Sequence, residues 1–273
     1  MSYVDVQGRW IPTIGFGTWK LTGSTCHDAV AHALAVGYRH LDTAQMYGNE
    51  DVVGQALEAS AVPREDVWLT TKLLPDNLGA ERVRASTEDS LRALRTEYLD
   101  LLLIHWPSTD VPLAETLEAM AALVDDGLIG AVGVSNFPPS LVREAMAITP
   151  IVANQVEYHP YLSQDALLAL AREHDHLLTA YSPLARGRVL DEPVIVEIAE
   201  EHGATPAQVT LAWLLAQDHV APIPKATSPS RIEANLAAAD LALSDDELAR
   251  ITALDEGQAG RIVDPPSAPD WER

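Results

Sequence analysis

The sequence predicts an α/β fold, a (β/α)8 TIM barrel in a single domain with additional helices near the C-terminal end. Strand-like apolar runs alternate with amphipathic helical patterns along nearly the whole chain, which is typical of βαβ units. These runs number eight and fit into roughly 250 residues, the usual size of such a barrel. No low-complexity linker divides the 273 residues, so residues 1–273 are assigned to one domain.

Each predicted strand is a short apolar run of the length that strands usually have. The first is IGFGTW and the fourth is the nearly continuous apolar run LDLLLIHW. The predicted strands, in chain order, are residues 14–19, 38–44, 67–73, 99–106, 129–137, 152–159, 177–184 and 221–226.

Helical patterns fill the intervals between the strands. Ser244 with Glu247 forms a capping box at a helix start, and Thr205 with Gln208 forms another. Glycines stand where three helices should stop, at Gly37, Gly127 and Gly203. The predicted helices are residues 25–36, 50–60, 80–95, 114–126, 139–148, 163–174, 193–217 with a break near Gly203, 229–238 and 244–254.

An open doubly wound sheet is the alternative architecture. Its dinucleotide fingerprint is a GxGxxG turn between the first strand and the first helix. Here the first strand runs into GFGTWKLTG instead, which favours the barrel.

The composition excludes several classes of function. With 40 Asp plus Glu against 18 Lys plus Arg, the net charge of -22 repels phosphate backbones and anionic membranes, so we expect no nucleic-acid partner. No apolar run approaches the roughly 20 residues of a membrane helix, and MSYVDVQGRW does not resemble a signal peptide. A soluble cytoplasmic protein is therefore expected. Cys26 is the only cysteine, which excludes an intramolecular disulfide or a thiol cluster for a metal.

The basic residues include only three lysines, Lys20, Lys72 and Lys225, while acidic residues are spread along the whole chain. An acidic, lysine-poor surface suits a cytoplasm with very high salt, where screening removes most self-repulsion. A GC-rich genome would also explain the arginines and alanines, but it explains the acidic excess less easily. A salt-adapted source is the favoured hypothesis.

Polar residues stand at the ends of the predicted strands, where a barrel of this kind forms its reactive face. A single Asp, Lys or His at a strand end is more often a structural hydrogen-bonding group. When three successive strands end in such residues, their charges lose water together at one end of the barrel. This destabilises a fold unless the charges are paired, and the pairing is then expected to serve a function. The strand-end residues are Asp42, Lys72, His105, Ser135, Asn136, Gln155, Glu157, Tyr181, Ser182 and Lys225.

The segment GYRHLDTAQMYGNEDVVG at 37–54 resembles the aldo-keto reductases, with Gly37, Asp42, Tyr47, Glu50 and Gly54 in the family's pattern. Further matches in the same order are TTKL around Lys72, YLDLLLIHWP around His105, GVSNF at 133–137, NQVEYHP at 154–160, AYSPLA at 180–185 and IPKATSPSRIEAN at 223–235. Within the family the chain most resembles the shorter bacterial 2,5-diketo-D-gluconate reductases, with their proline-rich tail and late tryptophan, here DPPSAPDW at 264–271.

This resemblance implies reduction of an aldehyde or ketone by a nicotinamide cofactor, without a metal. Carried over by position, the resemblance implies that Tyr47 donates the proton and that His105 orients the carbonyl. Lys72 and Asp42 would adjust the pKa of Tyr47. As hydride reaches the carbonyl carbon, the negative charge that grows on oxygen must be met by a proton and by fixed donors. We expect Lys72 to lower the pKa of Tyr47, and Asp42 to keep the lysine charged.

The resemblance also implies how barrel loops hold the nicotinamide half of the cofactor. Ser135, Asn136 and Gln155 would bind the carboxamide, because a hydroxyl and amides match its donors and acceptors. Tyr181 would stack on the nicotinamide ring. Ser182 and Leu184 would line the pyrophosphate, and Asn235 would reach the adenine.

The segment 223–235 determines the expected type of cofactor. Lys225 and Arg231 flank a helix start at Pro229, where free backbone amides favour an anion. A 2′-phosphate there predicts NADPH over NADH. Ala226 stands where the family usually has Ser or Thr, and Thr227 is the neighbouring hydroxyl that would compensate.

Large indoles predict the walls of the substrate pocket. Trp19 and Trp106 follow the first and fourth strands, and Trp271 would close the pocket from the tail. Diketogluconate, methylglyoxal and simple aldehydes all fit such a pocket. We expect a monomer acting on a small carbonyl compound. Two other functions stay open: a Schiff-base lyase using Lys72, and a regulatory subunit that senses NADPH.

Overall fold

Eight parallel strands follow one another in chain order around a barrel in the computed structural model, which describes residues 2–271. The backbone N–H groups of Gly15 and Gly17 donate to the carbonyl oxygens of Pro222 and Pro224 at 3.0 and 3.1 Å, which joins the first strand to the last. The predicted parallel barrel is confirmed. Its strands are β3 (Phe16–Gly17), β4 (His40–Asp42), β5 (Trp68–Leu73), β6 (Leu101–Ile104), β7 (Val132–Ser135), β8 (Ala153–Glu157), β9 (Leu177–Tyr181) and β10 (Val220–Pro222).

Helices surround the barrel and begin and end close to their predicted bounds. Both predicted capping boxes are present, at Thr205 and at Ser244. The long helical pattern breaks at Gly203, whose φ of +60° ends one helix before the next begins. The helices are α1 (Gly23–Val36), α2 (Glu50–Glu58), α3 (Ala80–Ala93), α4 (Leu113–Asp125), α5 (Pro139–Met146), α6 (Asp165–His174), α7 (Pro193–His202), α8 (Pro206–Leu215), α9 (Pro229–Ala237) and α10 (Asp245–Thr252).

An N-terminal hairpin precedes the barrel and is absent from the predicted strands. It consists of β1 (Tyr3–Val6) and β2 (Arg9–Pro12), joined by Gln7 and Gly8 at φ +51° and +77°. Positive φ at both turn residues matches the right-handed twist of a hairpin. Val6 and Ile11 pack with residues at the beginnings of several barrel strands, such as Leu177. The hairpin therefore closes the end of the barrel opposite the polar strand ends.

Close backbone packing explains the glycine that joins the ends of the barrel. A Cβ on Gly17 would lie 2.7 Å from the carbonyl oxygen of Ile223, closer than such atoms approach in real structures. Any larger residue at this position would push the first strand away from the last.

Buried charges are few within residues 2–271. Among their carboxylates only Asp42 and Glu157 are buried, and among their lysines only Lys72 is buried. The acidic excess therefore lies outside the core. The three buried charges all lie at the carboxyl ends of strands, where the sequence predicts the reactive face. No helix in this part of the chain has the length and apolar character needed to cross a membrane.

His40 makes the stability of the barrel depend on pH. Burial lowers the pKa of His40 from its ordinary value of 6.5 to about 4. Between these values the unfolded chain binds more protons than the folded protein, so stability falls as the pH falls. From pH 7 to pH 5 this group alone should remove about 2 kcal/mol from the free energy of unfolding.

Urea unfolding at pH 7 and pH 5 measures this loss. In His40→Gln the decrease between the two pH values should be smaller by that amount, whereas His27→Gln, at a partly exposed position, should behave like the wild type. An equal pH dependence in wild type and His40→Gln would contradict the assignment.

Candidate active site

Lys72 is the centre of a buried polar network at the carboxyl ends of the strands. Its Nζ donates to Asp42 Oδ1 at 2.6 Å and to the carbonyl oxygen of Thr43 at 2.7 Å. The third contact of Nζ is the phenolic oxygen of Tyr47 at 3.4 Å. The side chains of Lys72 and Asp42 are 0% and 2% exposed. The ammonium group is thus compensated by a carboxylate and also contacts the phenol.

Tyr47 is held over this ion pair by a short 3-10 turn, Gln45–Tyr47, that follows β4. The amide of Gln45 donates to the carbonyl oxygen of Ser86 at 3.2 Å and accepts from the backbone N–H of Leu74 at 2.8 Å. The turn is therefore fixed to both α3 and the end of β5. On its other side the Tyr47 ring lies edge-on to His105, with ring centroids 5.8 Å apart.

Burial dominates the electrostatics of these groups. The pKa of Tyr47 is raised well above its ordinary value by burial and by the Asp42 carboxylate. Our expectation that the pKa of Tyr47 is lowered is wrong, because burial and the Asp42 carboxylate outweigh the Lys72 ammonium. Burial lowers the pKa of Lys72 and Asp42 opposes that effect, as expected.

His105 is neutral near neutral pH. Burial and the nearby Lys72 charge lower its pKa to about 3. Its Nδ1 atom is buried and has no hydrogen-bond partner among residues 2–271. A neutral imidazole keeps one N–H donor. This donor can bind an oxygen on which negative charge develops, and the ring adds no charge of its own.

Glu50 supports the same network, although the sequence analysis gave it no role. It begins α2 and accepts hydrogen bonds from Thr71 Oγ1 at 2.6 Å and from Ser90 Oγ at 3.2 Å. Burial raises its pKa, while the Lys72 charge opposes that effect. Its position in the pattern around residues 37–54 was the available signal.

The residues predicted to bind the nicotinamide carboxamide are connected directly to the ion pair. Gln155 Nε2 donates to the second oxygen of Asp42 at 2.7 Å. Ser135 Oγ donates to the backbone oxygen of Gln155 at 2.8 Å, and Asn136 Nδ2 donates to Ser135 Oγ at 3.1 Å. The predicted carboxamide set therefore lies together, beside Asp42 and buried.

Asn136 and Tyr181 extend this set toward the outer rim. Asn136 adopts a φ of +63°, a left-handed conformation that asparagine tolerates better than most residues. Its side chain donates to the carbonyl oxygen of His105 at 3.0 Å and accepts from Tyr181 OH at 2.8 Å. The Tyr181 ring is half-buried, so one aromatic surface remains accessible. A hydroxyl, two amides and this ring suit a nicotinamide carboxamide and ring.

The segment predicted for the phosphate groups lies on the surface. Lys225, Thr227 and Arg231 are exposed, and neither cation forms an ion pair within the described chain. Helix α9 begins at Pro229 with no side-chain cap, and its first backbone N–H, that of Ser230, has no acceptor among residues 2–271 and can bind an anion. These features fit a 2′-phosphate.

The other residues predicted to bind the cofactor lie in the loops after β9 and β10 and in α9. Asn235 is buried within α9, and Ala226 is buried beside the exposed Thr227. Ser182 and Leu184 are half-buried in the loop after β9, where Ser182 has a φ of +49°. A left-handed serine costs backbone strain, which is often stored at ligand sites.

Two of the three predicted pocket tryptophans come together. The rings of Trp106 and Trp271 lie 6.3 Å apart at 66°. Trp19 is 43% exposed and contacts the ammonium of Lys20, 4.4 Å from its ring. The tail thus covers the loop after β6, while Trp19 forms a separate part of the rim.

Comparison with known proteins identifies the family. A model of the aldo/keto reductase family matches residues 13–256. The chain belongs to this family. Among its relatives, methylglyoxal reductase DkgB of Escherichia coli O157:H7 is 40% identical over 268 residues, covering 96% of this chain and 99% of that protein. An aldo-keto reductase of Mycobacterium sp. (strain KMS) is 41% identical over 254 residues, covering 92% of each chain.

Solved structures of aldo/keto reductases superimpose on the whole barrel. A crystal structure described as a 2,5-diketo-D-gluconic acid reductase B has a TM-score of 0.97 and 42% identity, covering 100% of this chain and 98% of that one. The aldose reductase of Schistosoma japonicum has a TM-score of 0.89 and 33% identity, covering 99% of each chain. The resemblance to the diketogluconate reductases is confirmed, and the chain is an oxidoreductase of the aldo/keto reductase type, a family that generally uses NAD(P)H.

Proposed function

We propose that this aldo/keto reductase reduces an aldehyde or ketone with NADPH and that Tyr47 donates the proton. The observation that carries the proposal is the contact of Tyr47 OH with Lys72 Nζ at 3.4 Å, where that ammonium is itself bound to Asp42 at 2.6 Å. A bound reduced nicotinamide supplies the hydride to the carbonyl carbon. The proton and the stabilisation of the developing negative charge come from four residues: Asp42, Tyr47, Lys72 and His105.

The raised pKa of Tyr47 suits an acid. It keeps the phenol protonated across the working pH range. An alkoxide is a stronger base than a phenolate, so the proton moves to the carbonyl oxygen as negative charge develops there. Lys72 then stabilises the phenolate, and the His105 N–H holds the carbonyl oxygen in place. Burial keeps water away and strengthens each of these interactions.

The cofactor proposal depends on Lys225 and Arg231 near the start of α9, two cations that have no ion-pair partner among residues 2–271. Lys225 and Arg231 lie exposed on either side of the Ser230 N–H, which has no acceptor among residues 2–271, in a chain whose net charge is -22. An isolated pair of cations there favours an anion, and the 2′-phosphate distinguishes NADPH from NADH.

Kinetics with both coenzymes test this assignment. We expect kcat/KM to be higher with NADPH, and Arg231→Ala to reduce that preference by about tenfold through loss of a charge-assisted contact. Arg92→Ala is the control, since Arg92 is exposed on α3 and pairs only with Asp89 within the described chain. A preference for NADH, or an unchanged ratio in Arg231→Ala, would reject the assignment.

A Schiff-base lyase is disfavoured by the surroundings of Lys72. A nucleophilic lysine must be neutral and reachable, whereas Lys72 is fully buried and contacts three oxygen atoms. Borohydride trapping of a substrate on Lys72 would favour the lyase. A regulatory subunit is disfavoured because the four proposed catalytic residues are complete. Tight NADPH binding without turnover of any carbonyl compound would favour that reading.

A substrate panel tests the reductase proposal as a whole. NADPH oxidation should accompany the reduction of at least one class among simple aldehydes, α-dicarbonyls and keto sugar acids. The names of the relatives cited above make methylglyoxal and diketogluconate the first compounds to test. Failure of every class, with NADPH bound, would contradict the proposal.

We further propose a cytoplasmic monomer adapted to high salt, with no nucleic-acid or membrane partner. Supporting this, the carboxylates of residues 2–271 other than Asp42 and Glu157 lie outside the buried core. A surface with such an acidic excess repels itself and other anions unless salt screens it.

A further inference from the structure

Glu157 fixes the C-terminal segment against the rim of the barrel. It is the last residue of β8, and its two carboxylate oxygens accept from the backbone N–H groups of Ile262 and Val263 at 2.8 and 2.9 Å. His159 Nε2 contacts the same carboxylate at 2.9 Å, and both side chains are fully buried. A buried carboxylate is tolerated only when its oxygens are hydrogen-bonded, and these contacts meet that requirement. The chain around residue 262 therefore has a defined place beside the active site.

Arg261 immediately precedes these anchored residues and has a free guanidinium fork. Its Nε donates to Gln258 Oε1 at 2.9 Å, but within residues 2–271 its terminal nitrogens have no acceptor and no carboxylate pairs with it. The acidic groups nearest in its surroundings are already engaged, because Glu157 binds the tail and Asp264 accepts from Trp271 Nε1 at 2.9 Å. Arg261 is also half-buried, so water satisfies it less fully than a surface arginine.

A second stacked arginine shows the contrast. Arg188 lies 3.7 Å from the ring centroid of Tyr161, the same stacking distance that Arg261 has from Trp271. Arg188, however, is more exposed and is paired with Glu256 through two nitrogens. Stacking alone therefore does not account for an unpaired guanidinium at position 261.

The free guanidinium lies at the mouth that holds the proton donor. It stacks on Trp271, whose ring contacts Trp106 at 6.3 Å. Trp106 follows His105, whose ring contacts Tyr47 at 5.8 Å. Arg261 and Tyr181 also influence each other's pKa electrostatically, which places the guanidinium near the ring predicted to stack on the nicotinamide.

We propose that Arg261 binds the carboxylate of the substrate, so that the enzyme prefers aldehyde acids or keto acids to neutral carbonyl compounds of the same size. This inference rests on the proposed reductase function. A planar fork of N–H donors matches a carboxylate in a bidentate arrangement. In a chain with a net charge of -22, a cation at the pocket that no carboxylate of residues 2–271 pairs with also offsets the general repulsion of an anionic substrate.

A matched pair of substrates tests the proposal. Succinic semialdehyde and its methyl ester share the aldehyde and the carbon chain, but only the first carries a charge. The wild-type enzyme should have a higher kcat/KM for the acid. Arg261→Leu should lower kcat/KM for the acid by about 10- to 100-fold, the range of a charge-assisted bidentate contact, and change that for the ester by less than about threefold.

Three controls separate the other roles that Arg261 could have. Arg92→Leu removes a surface charge elsewhere and should leave the acid-to-ester ratio unchanged. Arg261→Lys keeps the charge without the fork and should give an intermediate loss with the acid. The Kd of NADPH, measured by fluorescence without substrate, should be the same in Arg261→Leu and wild type.

Each contrary result has a distinct meaning. Equal losses with acid and ester in Arg261→Leu, or no loss with either, would overturn the proposal, since a residue that only packs against Trp271 does not distinguish charge. A tenfold weaker NADPH Kd would overturn it by assigning Arg261 to the cofactor. Reduction of the ester alone by the wild type, or reduction of only neutral members of the substrate panel when neither compound is reduced, would overturn it while the reductase function stands. Failure of both compounds and of the whole panel would overturn both.

Discussion

Replacing Tyr47 with phenylalanine should lower kcat by about 10²- to 10⁴-fold, the usual contribution of a positioned general acid. The substitution removes one oxygen from a buried ring whose position is set by the turn around Gln45 and by His105. Without the phenol, no other proton donor in the described site contacts Lys72. The carbonyl oxygen would then have to take its proton from water.

Folding and cofactor binding should survive this change. The Tyr47 contact with Lys72 is long at 3.4 Å, so losing it should cost about 1 kcal/mol or less of stability. Tyr3→Phe is a matched control, since Tyr3 is 45% exposed on the hairpin at the other end of the barrel. Turnover of Tyr47→Phe close to wild type, with NADPH bound normally, would remove Tyr47 from its proposed role.

Replacing Lys72 with methionine should reduce both activity and stability. The variant leaves the Asp42 carboxylate buried without its ammonium partner, and breaking such a pair costs about 3–5 kcal/mol of the free energy of unfolding. Gln155 Nε2 still donates to the other Asp42 oxygen at 2.7 Å, which places the loss toward the lower end of that range. Urea unfolding at neutral pH measures it.

The double variant Asp42→Asn with Lys72→Met separates the two effects. Removing both charges leaves no uncompensated ion in the barrel, so most of the stability should return. Activity should stay low, because no cation then stabilises the phenolate of Tyr47. Recovery of both stability and turnover in the double variant would show that the ion pair is only structural.

The sequence predicted the position of the proposed catalytic groups because parallel strands in a barrel end at one rim. Asp42 ends β4, Lys72 is the last residue but one of β5 and His105 directly follows β6, so their convergence follows from chain order alone. The carboxamide set at Ser135, Asn136 and Gln155 follows by the same rule. The QG turn between two alternating segments was also a usable signal, and it predicts the hairpin that our strand assignment omitted.

The direction of the Tyr47 pKa shift required the tertiary structure. Sequence places a lysine near the phenol, but it does not state how deeply either group is buried or which charge is compensated. In the folded protein, burial and Asp42 outweigh Lys72, and the pKa of Tyr47 rises. The outcome depends on distances of a few ångströms and on excluded water, which local sequence does not encode.

What the sequence determined by itself is therefore the barrel, the order of its strands and the residue types at its carboxyl rim, since periodicity and strand ends are local properties. The tertiary structure decided which of those groups are paired and which are left free. Glu157 binds the tail about a hundred positions later in the chain, and no carboxylate among residues 2–271 pairs with Arg261. Such pairing depends on contacts between residues far apart in the sequence and on the exclusion of water. Both exist only in the folded protein, so only the fold determines which buried charges have a partner.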